Sequence, residues 1–204
     1  MDSSKERIHA AALALLARYG YEGLSLQMIA DEVGLHKSSL FHHYRGKLEL
    51  AREVFEAAVQ RVVERVEPLA HDEPPRLDTL LAVSDALVDH FSEEPAAARL
   101  ILAFMIAPED SDVHVPVSLD DVDQPVVKVH ALIWDWLERA KSHGAIRPVS
   151  LRQALLNFIG VMLMYPAIAG EQAIIAGPEP FSPKARKIRK EELRLLLLGA
   201  LAPR

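Results

Sequence analysis

The chain has 204 residues, half of them apolar and a quarter charged, with no cysteine and a formal net charge of −6. This composition is that of a globular protein and excludes a wholly disordered chain. Zero cysteines exclude a disulfide scaffold, a thiolate metal site and a cysteine nucleophile.

As an average, the acidity argues against a surface coated for polyanions. Its distribution argues otherwise. Residues 1–50 hold six basic and six acidic groups, and residues 51–204 carry the whole excess of acid. From Val33 to Leu48 there are three cations (Lys37, Arg45, Lys47), three histidines (His36, His42, His43) and no carboxylate. The first twenty residues carry Asp2, Lys5, Glu6, Arg7 and Arg18, so they lack the apolar core of a signal peptide. The most apolar stretch, Ala154–Ala169, is sixteen residues long, short of the roughly 20 needed to span a bilayer. A cytoplasmic protein with no membrane partner is expected.

Helical periodicity dominates, and about nine helices are expected in chain order. Ile8, Ala11, Ala12, Leu15, Leu16 and Tyr19 form an amphipathic stripe, with Ser3 and Glu6 at capping-box spacing and Gly20 as the stop. A short helix follows at about Leu26–Val33, capped by Ser25 and closed by Gly34. The third spans about Lys37–Tyr44, and the fourth, about Lys47–Val66, is long. Further helices are read at about Arg76–Phe91, Pro95–Ile106, Val126–His143, Ser150–Ala169 and Pro183–Leu201, with an acidic loop at Ala107–Pro125. The fold class is all-α: a front module of residues 1–50 containing a helix-turn-helix at about 25–45, and a helical bundle of residues 51–204. The fourth helix, 47–66, connects the two.

Two short helices around Gly34 make the helix-turn-helix pattern. Ala30 is small where the helices cross, and Ile29, Val33, Leu35 and Leu40 close a small core. Lys37, Ser38, Ser39, Phe41 and His42 are left projecting, suited to the major groove. From Ile8 to Phe55 the chain resembles the DNA-binding domain of the TetR family of bacterial transcriptional regulators. The resemblance runs through Ala11-Ala12, Tyr19-Gly20-Tyr21, Leu24-Ser25, Ile29–Leu35, Lys37–Tyr44 and Gly46-Lys47-Leu48-Glu49-Leu50. Leu132–Pro148 is similar to many of that family's ligand domains.

The resemblance implies that Ser25 caps the second helix and touches phosphate, and that Gln27 contacts phosphate or base. It places Lys37, Ser38 and Ser39 in the groove and Lys47 on a phosphate. Three positions depart from the family pattern. His36 replaces the usual Ser or Thr cap. Phe41 replaces Tyr, so a phenolic bond to phosphate is lost and a thymine methyl is the alternative contact. Tyr44 replaces Phe and is expected to pack inward.

In the body, the helix after Pro125 is apolar on two sides and carries a histidine, the pattern of an apolar ligand pocket with a polar handle. Phe104, His130, Trp134, Asn157, Phe158, Met162 and Tyr165 are the candidate lining residues, with His130 and Asn157 as polar anchors. The last two helices are apolar on more than one face and are expected to form a two-fold dimer interface. The five cations of Lys184–Lys190 open a helix whose dipole disfavours them, so an outside partner such as the acidic loop is expected to compensate.

Adjacent His42 and His43 point about 100° apart on a helix and have no Cys or Asp to complete a metal set, so no metal is expected. Walker A, G-x-S-x-G, H-E-x-x-H and G-x-G-x-x-G motifs are absent, so neither an enzyme nor a cofactor is expected. The functional expectation is a homodimeric regulator, most simply a repressor, released from a palindromic DNA operator by a small apolar or aromatic effector. The alternative is a helical sensor or adaptor acting through protein contacts without specific operator binding.

Overall fold

The computed structural model describes residues 4–71, 73–114, 124–169 and 179–203. Among them are nine α-helices and no strand: α1 (Ser4–Gly23), α2 (Leu26–Val33), α3 (Lys37–Leu40), α4 (Lys47–Val66), α5 (Leu77–Glu93), α6 (Pro95–Met105), α7 (Pro125–Ser142), α8 (Leu151–Ile168) and α9 (Pro183–Leu201). A single 3₁₀ turn, Glu67–Leu69, extends α4.

The local signals act largely as the sequence implies. Ile8, Ala11, Ala12, Leu13 and Leu16 are buried along α1. Gly20, expected to stop that helix, instead kinks it: at φ 68°, ψ 177° the chain bends and the helix resumes to Gly23. A side chain would resist that conformation. Tyr19 is exposed rather than part of the stripe, and the Arg18 guanidinium lies 5.0 Å from its ring centroid. The capping role assigned to Ser3 lies outside the described residues. Ser25 caps α2 by accepting the Met28 N–H at 3.2 Å, and Gly34 closes it in the left-handed conformation. Arg7 then donates to the Val33 carbonyl at 2.6 Å, fastening α1 to the end of α2.

The third helix is shorter than the sequence suggests. After Leu40 the amides of His42 and His43 bond three residues back, to Ser39 and Leu40, so residues 41–43 form turns. The tighter path carries Tyr44 into the core and brings the chain to Gly46, where α4 begins. His36 supplies no side-chain cap, so α3 starts with backbone alone.

One continuous hydrophobic cluster runs from Ile8 to Leu201. Its hub is α4, which packs against α1 at its front and against α5, α6 and α7 further along, while α1 also rests on α6. Phe55 of α4 and Phe104 of α6 stack with centroids 4.7 Å apart and planes 7° apart. The front module therefore touches the body through two helices, with no flexible linker between.

Among the described residues, α5 supplies the acidic partners for part of the cations of α9. Lys190 pairs with Asp89 at 2.6 Å and Arg194 with Asp85 at 2.7 Å, while Arg186 lies 3.9 Å from Asp89 and 3.7 Å from Glu93. Both sets repeat every four residues, so each lies along one stripe of its helix. Partly exposed pairs of this kind contribute about 0–1 kcal/mol each. Their main effect is to fix the register of α9 on α5.

Candidate nucleic-acid interface

The carboxylate-free window folds into one exposed edge of the molecule. Lys37, Ser38, His42, His43 and Arg45 are exposed there and Ser39 is half-buried. Phe41 is 52 % exposed, an uncommon state for a large aromatic side chain. Beneath it Leu40 is fully buried and Tyr44 nearly so. These two anchors hold the turn against α1 and α4 while its outer side chains face solvent. Burial, with smaller contributions from Glu53 and Glu49, pushes the Tyr44 phenol up to about 12. Its hydroxyl has no hydrogen-bond partner, so Tyr44 serves as a packed ring.

Ser25 and Gln27 stand exposed at the start of α2, whose first amides have no intrahelical acceptor. Such a helix start favours an anionic oxygen. Gln27 donates from Nε2 to Asp31 at 2.7 Å, which leaves its carbonyl oxygen available. Lys47 is half-buried: Nζ donates to the Tyr21 carbonyl at 3.0 Å and lies 4.1 Å from the Tyr21 ring centroid. An ammonium has three donors, so two remain for a phosphate while the third ties α4 to the kinked end of α1. Of the eight residues read from the sequence as DNA contacts, six are exposed and two, Ser39 and Lys47, are half-buried. His43 and Arg45 share the edge. The carboxylate-free window was the signal that could have added them.

The pattern described as bacterial regulatory proteins of the tetR family matches residues 8–54. Over these residues the chain carries a TetR-family domain. It is 25 % identical over 142 residues to the HTH-type transcriptional regulator CymR of Pseudomonas putida, covering 69 % of this chain and 67 % of that protein. It is 22 % identical over 166 residues to YerO of Bacillus subtilis, an uncharacterised HTH-type transcriptional regulator; the match covers 80 % of this chain but 57 % of that relative. The chain thus spans little more than half of YerO's length. The ketosteroid transcriptional regulator KstR2 of Mycobacterium tuberculosis shares the fold, with TM-score 0.76 at 15 % identity over 100 % of this chain and 97 % of that one. Members of this family regulate transcription and are not enzymes.

The body of the chain contains a cavity of about 70 Å³ between α4 and α8, lined by residues of α4, α5, α6, α7 and α8. His130 is the one polar side chain among the fourteen that line it. Of the seven residues read as ligand contacts, the structure brings His130, Phe158 and Met162 to this cavity. The other four lie elsewhere. Phe104 is spent on the stack with Phe55. Trp134 is half-buried on α7, outside the lining. Asn157 is exposed, bonded to Gln153 at 2.9 Å. Tyr165 donates to the Pro180 carbonyl at 3.1 Å and supports the Arg189 guanidinium 4.1 Å from its ring centroid. Arg189 also donates to the Val161 carbonyl at 2.6 Å, and burial lowers its pKa to about 10.

A second groove, of about 450 Å³, separates α8 from α9, with Leu80, Leu137, Phe158 and Leu201 among its lining residues. Asn157 lines this groove rather than the cavity. On the same helices Leu156, Met164, Ile188, Leu195, Leu196 and Leu198 are exposed. By length and composition alone α8 is apolar enough to cross a membrane, and a third of it is buried within the chain.

Proposed function

We propose that this chain is a TetR-family regulator, a homodimeric repressor that binds a palindromic operator and is released by a small apolar effector. The observation that carries the DNA reading is the exposed edge at Lys37–Arg45, free of carboxylate and rooted in the core by Leu40 and Tyr44. In this reading Ser38, Ser39, Phe41 and His42 meet base edges in the major groove, Lys37 enters the groove with its ammonium on the phosphate backbone, and Ser25, Gln27 and Lys47 meet phosphates. Phosphate contacts position the protein and base contacts specify the site.

Residues 1–50 act as the reading module and residues 51–204 as the effector and dimerisation module. The exposed apolar side chains of α8 and α9 are covered by the same helices of a second copy. Two-fold pairing sets the two reading edges about one helical turn of DNA apart. The protein works in the cytoplasm, where the operator is.

Effector binding acts through α4. Val59 and Val62 line the cavity, and the same helix carries Lys47 at its other end. An occupant larger than the cavity displaces α4 or α6, and α1 rests on both. The effector therefore binds the DNA-free arrangement more tightly, and DNA binding weakens effector binding by the same factor.

Fluorescence anisotropy with DNA from upstream of the gene tests the reading. Specific binding to a palindromic segment is expected for the wild type and its loss for the Lys37→Ala, Ser39→Ala double variant. Absence of any palindromic site at low salt, or specific binding retained by the double variant, refutes it.

A further inference from the structure

The cavity states what kind of effector it can hold, and this inference rests on the effector reading above. Among the described residues its lining has no carboxylate, ammonium or guanidinium. A charged ligand would lose its hydration there and find no opposite charge, a penalty that strongly disfavours binding. One polar group is present, and its chemistry is constrained. Nδ1 of His130 lies 2.6 Å from the Val126 carbonyl oxygen. A carbonyl only accepts, so Nδ1 carries the proton of that bond. In the neutral imidazole Nε2 is then a lone-pair acceptor.

Size narrows the class further. A cavity of roughly 150 Å³ holds one benzene ring, against about 70 Å³ here. The deficit falls where the lining gives most readily. Met105 and Met162 both border the cavity, and Met105 is 41 % exposed at its edge. Methionine adapts to irregular volumes at little cost. One ring is therefore within reach of side-chain movement together with a small shift of α4 or α6, whereas a long acyl chain or a fused-ring system would require the helices to part widely.

We propose that the effector is an uncharged molecule of about one ring, bearing one hydroxyl or N–H donor that meets Nε2 of His130. A phenol is the simplest example. His130 is then the residue that selects donor-bearing ligands from apolar ones of the same shape.

Four probes of matched shape test this by isothermal titration calorimetry on the full-length protein: 4-methylphenol, 4-methylanisole, toluene and 4-methylbenzoate. The expected order places 4-methylphenol about fivefold tighter than 4-methylanisole, the worth of one ordinary hydrogen bond. Toluene falls near the anisole, and 4-methylbenzoate is weakest. In His130→Phe the phenol and the anisole bind equally. If that variant does not fold, the wild-type series still decides.

Tightest binding by the benzoate, equal binding of phenol and anisole to the wild type, a fivefold ratio retained in His130→Phe, or no binding by any probe at millimolar concentration each overturns the proposal. Anisotropy on operator DNA separates it from the functional reading. Phenol binding with the expected selectivity but unchanged DNA affinity would sink effector release and leave the ligand class standing. Release by another ligand, with no donor preference in the series, would do the reverse.

Discussion

Replacing Lys37 with alanine removes one exposed cation from each reading edge of the proposed dimer. Two further cations border that edge: Arg45, exposed, and Lys47, with two donors to spare after its bond to Tyr21. Three phosphate contacts per protomer make about six per dimer, which gives a slope of log K against log salt of about −5. Without Lys37 the count falls to about four and the slope to about −3.6. Raising salt from about 50 to 200 mM should then weaken the wild type about a thousandfold and the variant about a hundredfold. Anisotropy titrations at five or six salt concentrations measure both slopes. Ser38→Ala serves as the contrast, because a hydroxyl meeting a base edge changes sequence preference and leaves the slope alone. A Lys37→Ala slope equal to the wild type's would refute the placement of this residue at the backbone.

Other consequences concern stability, pH and assembly. Phe104→Ala should cost about 3–5 kcal/mol and, for a chain of this size, lower Tm by roughly 6–20 °C; combined with Phe55→Ala at fixed protein concentration, it should show about 0.5–1.5 kcal/mol of coupling. A loss under about 1 kcal/mol, or simple additivity, would contradict the stacked core role. His90 is buried with Nε2 unpartnered, and desolvation by burial holds its pKa below the usual 6.5, against the opposing pull of Glu94. The folded state thus resists protonation more than the unfolded chain does, so stability is fully present above pH 6.5 and is lost as pH falls through the lowered folded value. Thermal melts between pH 7.5 and 5 should show this decline, and His90→Leu should flatten it; an unchanged pH profile would exclude His90 as a cause. Leu196→Glu, on the exposed face of α9, should leave a folded monomer by light scattering with specific DNA affinity lost. A dimer of undiminished affinity would place the interface elsewhere.

Local features were legible in the sequence wherever one residue type has one physical reason to occupy a position. Ser25 caps and Gly34 reverses, so the bounds of α2 agree with the sequence reading at both ends. Tyr44 packs inward as expected, because an apolar ring surface is what the α1–α4 crevice accepts. The length of α3 was not legible, since nothing in Phe41-His42-His43 opposes a helix. The early end comes from the need to bring Tyr44 into the core and start α4, and that requirement is tertiary. The ligand residues show the same limit. Periodicity finds which residues of α7 and α8 are apolar, but not whether Phe104 faces a cavity or a second ring. Asn157 looked like a buried handle because its neighbours are apolar, yet those neighbours are themselves the exposed groove between α8 and α9. The cations of α9 called for an acidic partner, and only the packing shows that α5 supplies it.

The net charge of −6 sets a last test of the same geometry. Part of the acid in the body is already matched, because Asp85, Asp89 and Glu93 face the cations of α9. Of the remainder, Glu53 and Glu56 border the same surface pocket as Arg45, and the acid beyond the first three turns of α4 lies further from the reading edge. From Lys47 to Val59 that helix rises about 18 Å. At physiological salt, where charges are screened over about 8 Å, that more distant acid contributes little repulsion at the reading edge. Near 0.01 M salt the screening length reaches about 30 Å, and the acid beyond α4 comes within range of the phosphates. A plot of log K against log salt should therefore be straight from about 0.1 to 0.3 M and flatten below about 0.03 M, as repulsion from the body offsets the gain in counterion release. A line that stays straight to 0.01 M would mean that the body's charge is matched more fully than the α5–α9 pairs alone achieve. Removing two of those pairs, with Arg194→Gln and Lys190→Gln, should then restore the curvature by freeing Asp85 and leaving Asp89 only its 3.9 Å contact with Arg186.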